Sequence, residues 1–217
     1  MSKNEIPKIA KKALSDVLNE WGGILYSSHE TLKPGDVYLL GFNPGGVDGN
    51  PVEQSINSML TNTSNSYLDE SWGNGSGKWD RGEAPLQKRV QWVLESFGLN
   101  TREVCASNLI FLQSPKAADI RYSLAEKCWP VHEAIINIVQ PKLIIAFGNS
   151  AVSPYGYLQS MLGGKAEYFP SGHGNWSIKG FRCKINRLPV YVSGIPHLSR
   201  YSPIGKYQII EWLSEKM

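Results

Sequence analysis

Three short polar segments, far apart in a chain of 217 residues, hold the residue types from which a binding or catalytic site is built. The first is Gly41-Phe42-Asn43-Pro44-Gly45-Gly46. Pro44 drives Asn43 out of the helical region, and the glycines let backbone approach a ligand closely. The second is Asn108, which interrupts the apolar run 104–111. An amide left unpaired there costs about 1 to 3 kcal/mol, so either a neighbouring loop or a ligand must satisfy it. One Asn can present donor and acceptor together to the edge of a planar base. The third segment is His197-Leu198-Ser199-Arg200-Tyr201-Ser202, whose hydroxyls and guanidinium suit phosphate contacts and whose Tyr suits stacking. Each also has a plain structural reading: a sharp turn, a hydrogen bond to a loop, an exposed polar turn.

Other chemistries fit less well. Gly75-Ser76-Gly77-Lys78 lacks the spacing and the Ser/Thr of a phosphate loop, and the loop after Gly41 is not a dinucleotide fingerprint. His132-Glu133 has no second His at zinc-protease spacing, and His29 and His173 have no acidic or thiol partner at ligand spacing, so no metal is expected. Gly148-Asn149-Ser150-Ala151-Val152 lacks the closing Gly of a nucleophile elbow.

The elements that must position these residues follow from periodicity. Ile6, Ile9, Ala13, Val17 and Trp21 predict an amphipathic helix over 5–21, ended by Gly22-Gly23. Residues 37–42, 104–111 and 142–148 read as short buried strands, and 181–185 and 189–193 as two more around a turn at Asn186-Arg187. Helices are expected at 52–60, from Pro85 to Phe97, at 123–139 with Pro130 kinking or splitting it, at 151–162, and at the C-terminus. Residues 61–85 form a long loop rich in Asn, Ser and Gly that holds Tyr67, Trp72 and Trp79. Strands alternating with helices predict an α/β chain, a three-layer α/β/α sandwich with a short, mainly parallel sheet, as one domain over 1–217. In such sheets ligands lie beyond the carboxyl ends of the strands, where the three polar segments fall.

Composition narrows the class. Hydrophobic residues at 41% and charged residues at 19% predict a folded chain rather than a disordered one. Residues 1–21 offer no continuous apolar core for a secretory signal, and no later run reaches membrane-span length. Cys105, Cys128 and Cys183 have no paired spacing, which predicts reduced thiols and a cytoplasmic protein, with no disulfide, zinc knuckle or iron–sulfur cluster. A net charge of +3 permits a polyanionic partner without demanding one. Seven Trp and ten Tyr exceed what a minimal core needs, so some are expected to line a recess or face a flat ligand.

Taken in order, Gly41-Phe42-Asn43-Pro44-Gly45, Ala106-Ser107-Asn108-Leu109 and the His197 loop resemble the motifs of the uracil-DNA glycosylase superfamily, in its G-x-N-P-G branches. The resemblance spans roughly residues 36 to 217, with gaps. It implies a monomeric DNA glycosylase of base excision repair that flips uracil or a related damaged pyrimidine from DNA and hydrolyses its N-glycosidic bond without a cofactor. In that scheme the Asn43 carbonyl orients the attacking water, and neutral His197 donates a hydrogen bond to uracil O2 as negative charge builds. Asn108 reads the N3 and O4 edge; Gly41, Phe42, Pro44 and Gly45 line the base pocket, with Phe42, Tyr67, Trp72 or Trp79 stacking on the base. Ser199 and Ser202 hold phosphates, and Arg200 or Tyr201 fills the gap left in the stack. Leu198 and Arg200 stand where many members have prolines. Two other readings stay open: a non-catalytic nucleic-acid or nucleotide binding module, and a nucleotide enzyme of generic α/β type.

Overall fold

The computed structural model describes residues 1–46, 49–74 and 77–217. The strands are β1 (Val37–Gly41), β2 (Gly73–Asn74), β3 (Gly77–Lys78), β4 (Cys105–Asn108), β5 (Leu143–Phe147), β6 (Glu167–Pro170), β7 (Ser177–Ile185) and β8 (Leu188–Ile195). The helices are α1 (Ile6–Ala13), α2 (Val52–Ser58), α3 (Pro85–Ser96), α4 (Leu124–Val139), α5 (Pro154–Leu162) and α6 (Tyr207–Ser214). The central sheet has six strands in the order β4-β1-β5-β8-β7-β6, and β2 and β3 form a separate ribbon. Strands β4, β1, β5 and β8 run parallel, whereas β7 and β6 add antiparallel partners on one side.

Helices cover both faces of this sheet. On one, Ile6, Ala10, Val52, Ile135 and Leu158 from α1, α2, α4 and α5 meet Tyr38, Leu40, Ile144 and Val192. On the other, Val90, Val93 and Leu94 of α3 and Ile209, Ile210 and Leu213 of α6 meet Leu39, Leu143, Ile145 and Tyr191. Strands β1, β4 and β5 are buried at every position, as parallel strands covered on both faces require; β1 and β5 are continuous apolar runs, and β4 ends in the polar Ser107 and Asn108. The arrangement is α/β with a mostly parallel sheet flanked by helices, compatible with the expected three-layer sandwich.

Several boundaries differ from expectation. Helix α1 stops at Ala13, eight residues before Trp21, because Ser15 and Asp16 favour turns over helix. The buried Leu14 and Val17 are held by turns, and the chain then runs along β4 through bridges from Gly22 to Leu112 and Leu25 to Ser107. Pro130 does not split α4, since both it and Glu126, the residue whose carbonyl loses its partner, face solvent. Strand β6 escaped notice, its edge position leaving alternate residues exposed. Asn186 and Arg187 both take positive φ, 49° and 71°, the backbone of a tight hairpin turn. Gly75 and Ser76 lie outside the described residues. The three cysteines are free thiols. No helix among the described residues is long and apolar enough to cross a membrane.

One buried histidine braces the end of β4. His132 of α4 is fully buried, its Nε2 3.1 Å from the Leu109 carbonyl and its Nδ1 2.9 Å from the Tyr38 hydroxyl. A neutral ring that donates from Nε2 and accepts at Nδ1 satisfies both contacts. Burial, opposed by the backbone acceptors, pushes its pKa down to about 4. The folded value lies below the unfolded one of about 6.5, so the stability tied to neutral His132 is present above pH ~6.5 and is lost as pH falls toward 4. The expected loss is about 3 kcal/mol across that window, read as a falling urea midpoint. His132→Gln is expected to be less stable at neutral pH and to flatten the curve, and a variant profile parallel to the wild type would discard this role.

Candidate functional site

Four strands deliver polar residues to one edge. Register pairs Gly41 with Asn108, Leu40 with Ala146 and Phe147 with Ile195, so the carboxyl ends of β4, β1, β5 and β8 lie side by side. Asn108, Asn43, Asn149 and His197 leave that edge in the same order. Two strand spacings, roughly 10 Å, separate β1 from β8.

Asn108 is 5% exposed, and its Nδ2 has no hydrogen-bond partner. The Tyr26 phenol lies beside it without completing a bond to Nδ2. The amide fits only because residue 41 is glycine, since a Cβ there would sit 2.0 Å from Asn108 Oδ1. Thus the first motif supplies the space that the second fills. Asn43 is half-buried and donates from Nδ2 to the Pro44 carbonyl at 2.8 Å, which leaves its carbonyl oxygen as the end turned away from the backbone. The glycine loop is clamped from the β4 side: Gln113 Nε2 donates to Gly45 O at 2.7 Å, and Ser114 N to Pro44 O at 3.0 Å. Gly46 takes φ 97°, a conformation that favours glycine.

His197 has a defined tautomer. The Ser199 amide donates to its Nδ1 at 3.2 Å, and Ser199 Oγ lies 2.7 Å from the same atom. A nitrogen that accepts carries no proton, so the neutral ring bears its hydrogen on Nε2. Burial, and secondarily the positive charge of Arg200, hold the pKa below the ordinary imidazole range, which keeps the ring neutral at pH 7. The arrangement is a fixed, uncharged N–H donor.

Packing and backbone hydrogen bonds fix this loop, which has no proline between His197 and Ser202. Arg200 N and Tyr201 N both bond the His197 carbonyl at 2.9 and 3.1 Å, and Leu198 is fully buried. Arg89 of α3 donates from Nη1 to the Leu198 carbonyl, a residue that helical spacing alone did not mark. Arg89→Ala is expected to loosen the His197 loop, read as faster amide hydrogen exchange at Arg200 and Tyr201, whose N–H groups bond the His197 carbonyl. Unaltered exchange in that variant would remove Arg89 as a positioning residue.

Three expected roles change. Tyr201 is 1% exposed, donates from its hydroxyl to Ser171 O at 2.6 Å, and lies beneath the Lys206 ammonium, so it cannot fill a gap in a base stack. Arg200, exposed and in no ion pair among the described residues, is the side chain open to that task. Tyr67 is 3% exposed and closed inside a cluster with Tyr26 and Trp72, at ring separations of 5.8 to 6.4 Å, and is unavailable to a base. The Ser199 hydroxyl is engaged with the imidazole rather than directed to a phosphate. Phe42 stays half-buried, 6.1 Å from the Tyr122 ring, and Ser202 is half-buried. Trp79 is 43% exposed.

Two recesses open at this edge. His197, Gly148, Asn149, Trp176, Lys179 and Arg200 line one of about 450 Å³. Pro44, Gly45, Tyr26, Glu70 and Gln113 line another of about 450 Å³. Neither counts Asn43 or Asn108 among its lining residues. The structure therefore gathers the three polar segments on one edge and pairs Gly41 with Asn108, but a single open recess does not join Asn43, Asn108 and His197. Asn149, missed in the sequence, fastens β5 to its neighbours: its Nδ2 donates to Ser177 O at 2.6 Å, and its carbonyl accepts from Lys179 Nζ at 2.9 Å. The chain matches no model of a known protein family, and no curated protein matches it significantly.

Proposed function

We propose that the chain is a DNA glycosylase of the uracil-DNA glycosylase type, acting on uracil or a related damaged pyrimidine. The observation that carries this reading is the buried, unpartnered Nδ2 of Asn108 at the carboxyl edge of the sheet. A buried donor of this kind calls for an acceptor, and a ligand seated at the edge supplies one. Uracil O4 is an acceptor and its N3–H a donor, the complement of one Asn amide. Cytosine presents the reverse pattern and leaves both ends of the amide opposed.

The remaining groups suit the rest of the reaction. Breaking the bond between uracil and deoxyribose places positive charge on the sugar and negative charge on the departing base. The Nε2–H of His197 meets that anion as it forms, without proton transfer, and so acts as an oxyanion-hole donor. The Asn43 carbonyl can hold a water for the cationic sugar but cannot take its proton outright, so turnover slower than that of a carboxylate-bearing enzyme is expected. The test is incubation with a uracil-containing oligonucleotide, single- and double-stranded, followed by alkali. Cleavage at the uracil position is expected; intact strands for uracil and for other pyrimidine lesions would overturn the assignment in favour of a binding module.

A further inference from the structure

The hairpin formed by β6 and β7 has no counterpart in the three motifs, yet it builds one wall of the His197 recess. Tyr168 of β6, 66% exposed, Trp176 just before β7, 42% exposed, and Lys179 all line it. His197 and Arg200 line the same recess, and no carboxylate is among the lining residues. Trp176 is set by its own loop: its amide bonds His173 O, its carbonyl accepts from Ser171 N, and the His173 ring meets it edge-on at 4.9 Å. Lys179 spends one hydrogen on Asn149 O, which anchors the ammonium within the recess and leaves two donors.

Two exposed π-faces interleaved with two cations are the elements of a surface for unstacked nucleotides: bases stack on the rings and phosphates meet the charges. In a duplex the bases already stack on one another and offer no face to a side chain. The recess is also not closed. A neighbouring cleft of about 820 Å³, lined by Tyr122, Tyr157 and Gln159, shares Asn149, Ser150 and Lys179 with it. A trough that continues from the recess past Asn149 and Lys179 fits a polymer rather than a mononucleotide.

We infer that Tyr168, Trp176 and Lys179 form a strand-holding platform that stacks the unpaired DNA bases flanking the target nucleotide and binds the phosphate between them. This rests on the proposed function for the identity of the target, but not for the binding itself. The platform favours single-stranded DNA, or duplex locally opened around the flipped base.

The experiment is fluorescence anisotropy with a labelled, uracil-free thymidine oligonucleotide, alone and annealed to its complement, so that no excision is needed. Trp176→Ala and Tyr168→Ala are each expected to weaken single-strand binding roughly tenfold or more, a loss about tenfold greater than on the duplex. Trp176→Phe retains a π-face and is expected to recover most of the affinity, whereas Trp176→Leu does not. Lys179→Ala lowers the salt slope for single strands by about 0.7. Both aromatic residues are exposed, so these variants leave the core intact. Equal losses on both forms of DNA, or no loss in either aromatic variant, overturn the platform. Aromatic-dependent single-strand binding without any excision would sink the glycosylase reading and keep the platform; excision with binding indifferent to Trp176 and Tyr168 would do the opposite.

Discussion

Replacing His197 by alanine is expected to lower the rate of uracil excision about 10²- to 10³-fold, the cost of losing one preorganised donor to a developing anion. The size follows from the setting of the ring. Ser199 holds Nδ1 as an acceptor, so all of the donor capacity lies on Nε2, and burial weakens competition from water. The loop stays in place in the variant, since Leu198 and Tyr201 remain buried anchors. A pH profile separates this role from a structural one. Because the folded pKa is held below about 6.5, the wild-type rate is expected to stay level as pH falls past that value. It then declines once Nδ1 gains a proton, loses its bond from the Ser199 amide and faces Arg200. The alanine variant lacks that acid limb. Loss of less than about tenfold, or an unchanged acid limb, would take His197 out of the reaction.

Asn108→Ala should separate stability from activity. Wild-type Asn108 carries an unpaired buried donor, whose desolvation costs about 1 to 3 kcal/mol. Removing the amide relieves that cost while opening a small space beside Gly41. The net result expected is a melting temperature equal to the wild type or higher by a few degrees, since about 1 kcal/mol moves a chain of this size by 2–4 °C. Excision of uracil should fall roughly 10²- to 10³-fold, and preference for uracil over cytosine should collapse, because a site built around a base edge discriminates by the groups it leaves unpaired. A large drop in melting temperature would identify Asn108 as a structural residue satisfied by dynamics of its neighbours, and unchanged excision would exclude it as the base reader.

Local signals made the edge legible. The apolar runs of β1, β4 and β5 were visible because strands buried on both faces need no alternation, and their polar endings marked the carboxyl edge. What stayed hidden depends on distant partners. Nothing near Tyr201 indicates that its hydroxyl reaches Ser171, thirty residues away, and buries the ring. Arg89 sits on an ordinary helix face, and its contact with the Leu198 carbonyl spans more than a hundred residues of sequence. Tyr67 and Trp72 looked like free aromatics in a polar loop, yet Tyr26 closes over them because the chain after α1 runs along β4. The β6–β7 hairpin was partly missed because Gly180, just ahead of the strand expected at 181–185, is required there: a Cβ would sit 2.2 Å from the Tyr191 hydroxyl across the ladder. Glycine weakens a strand pattern in sequence even where tertiary contact demands it.

A crystal structure of the chain with uracil bound is the most direct test of the shared edge as a base site. The expected result is the ring at the carboxyl edge between Asn108 after β4 and His197 after β8, with O4 and N3 on the Asn108 amide, O2 within about 3 Å of His197 Nε2, and the glycosidic nitrogen toward Asn43. Uracil seated elsewhere, with Asn108 Nδ2 still unpaired, would contradict it.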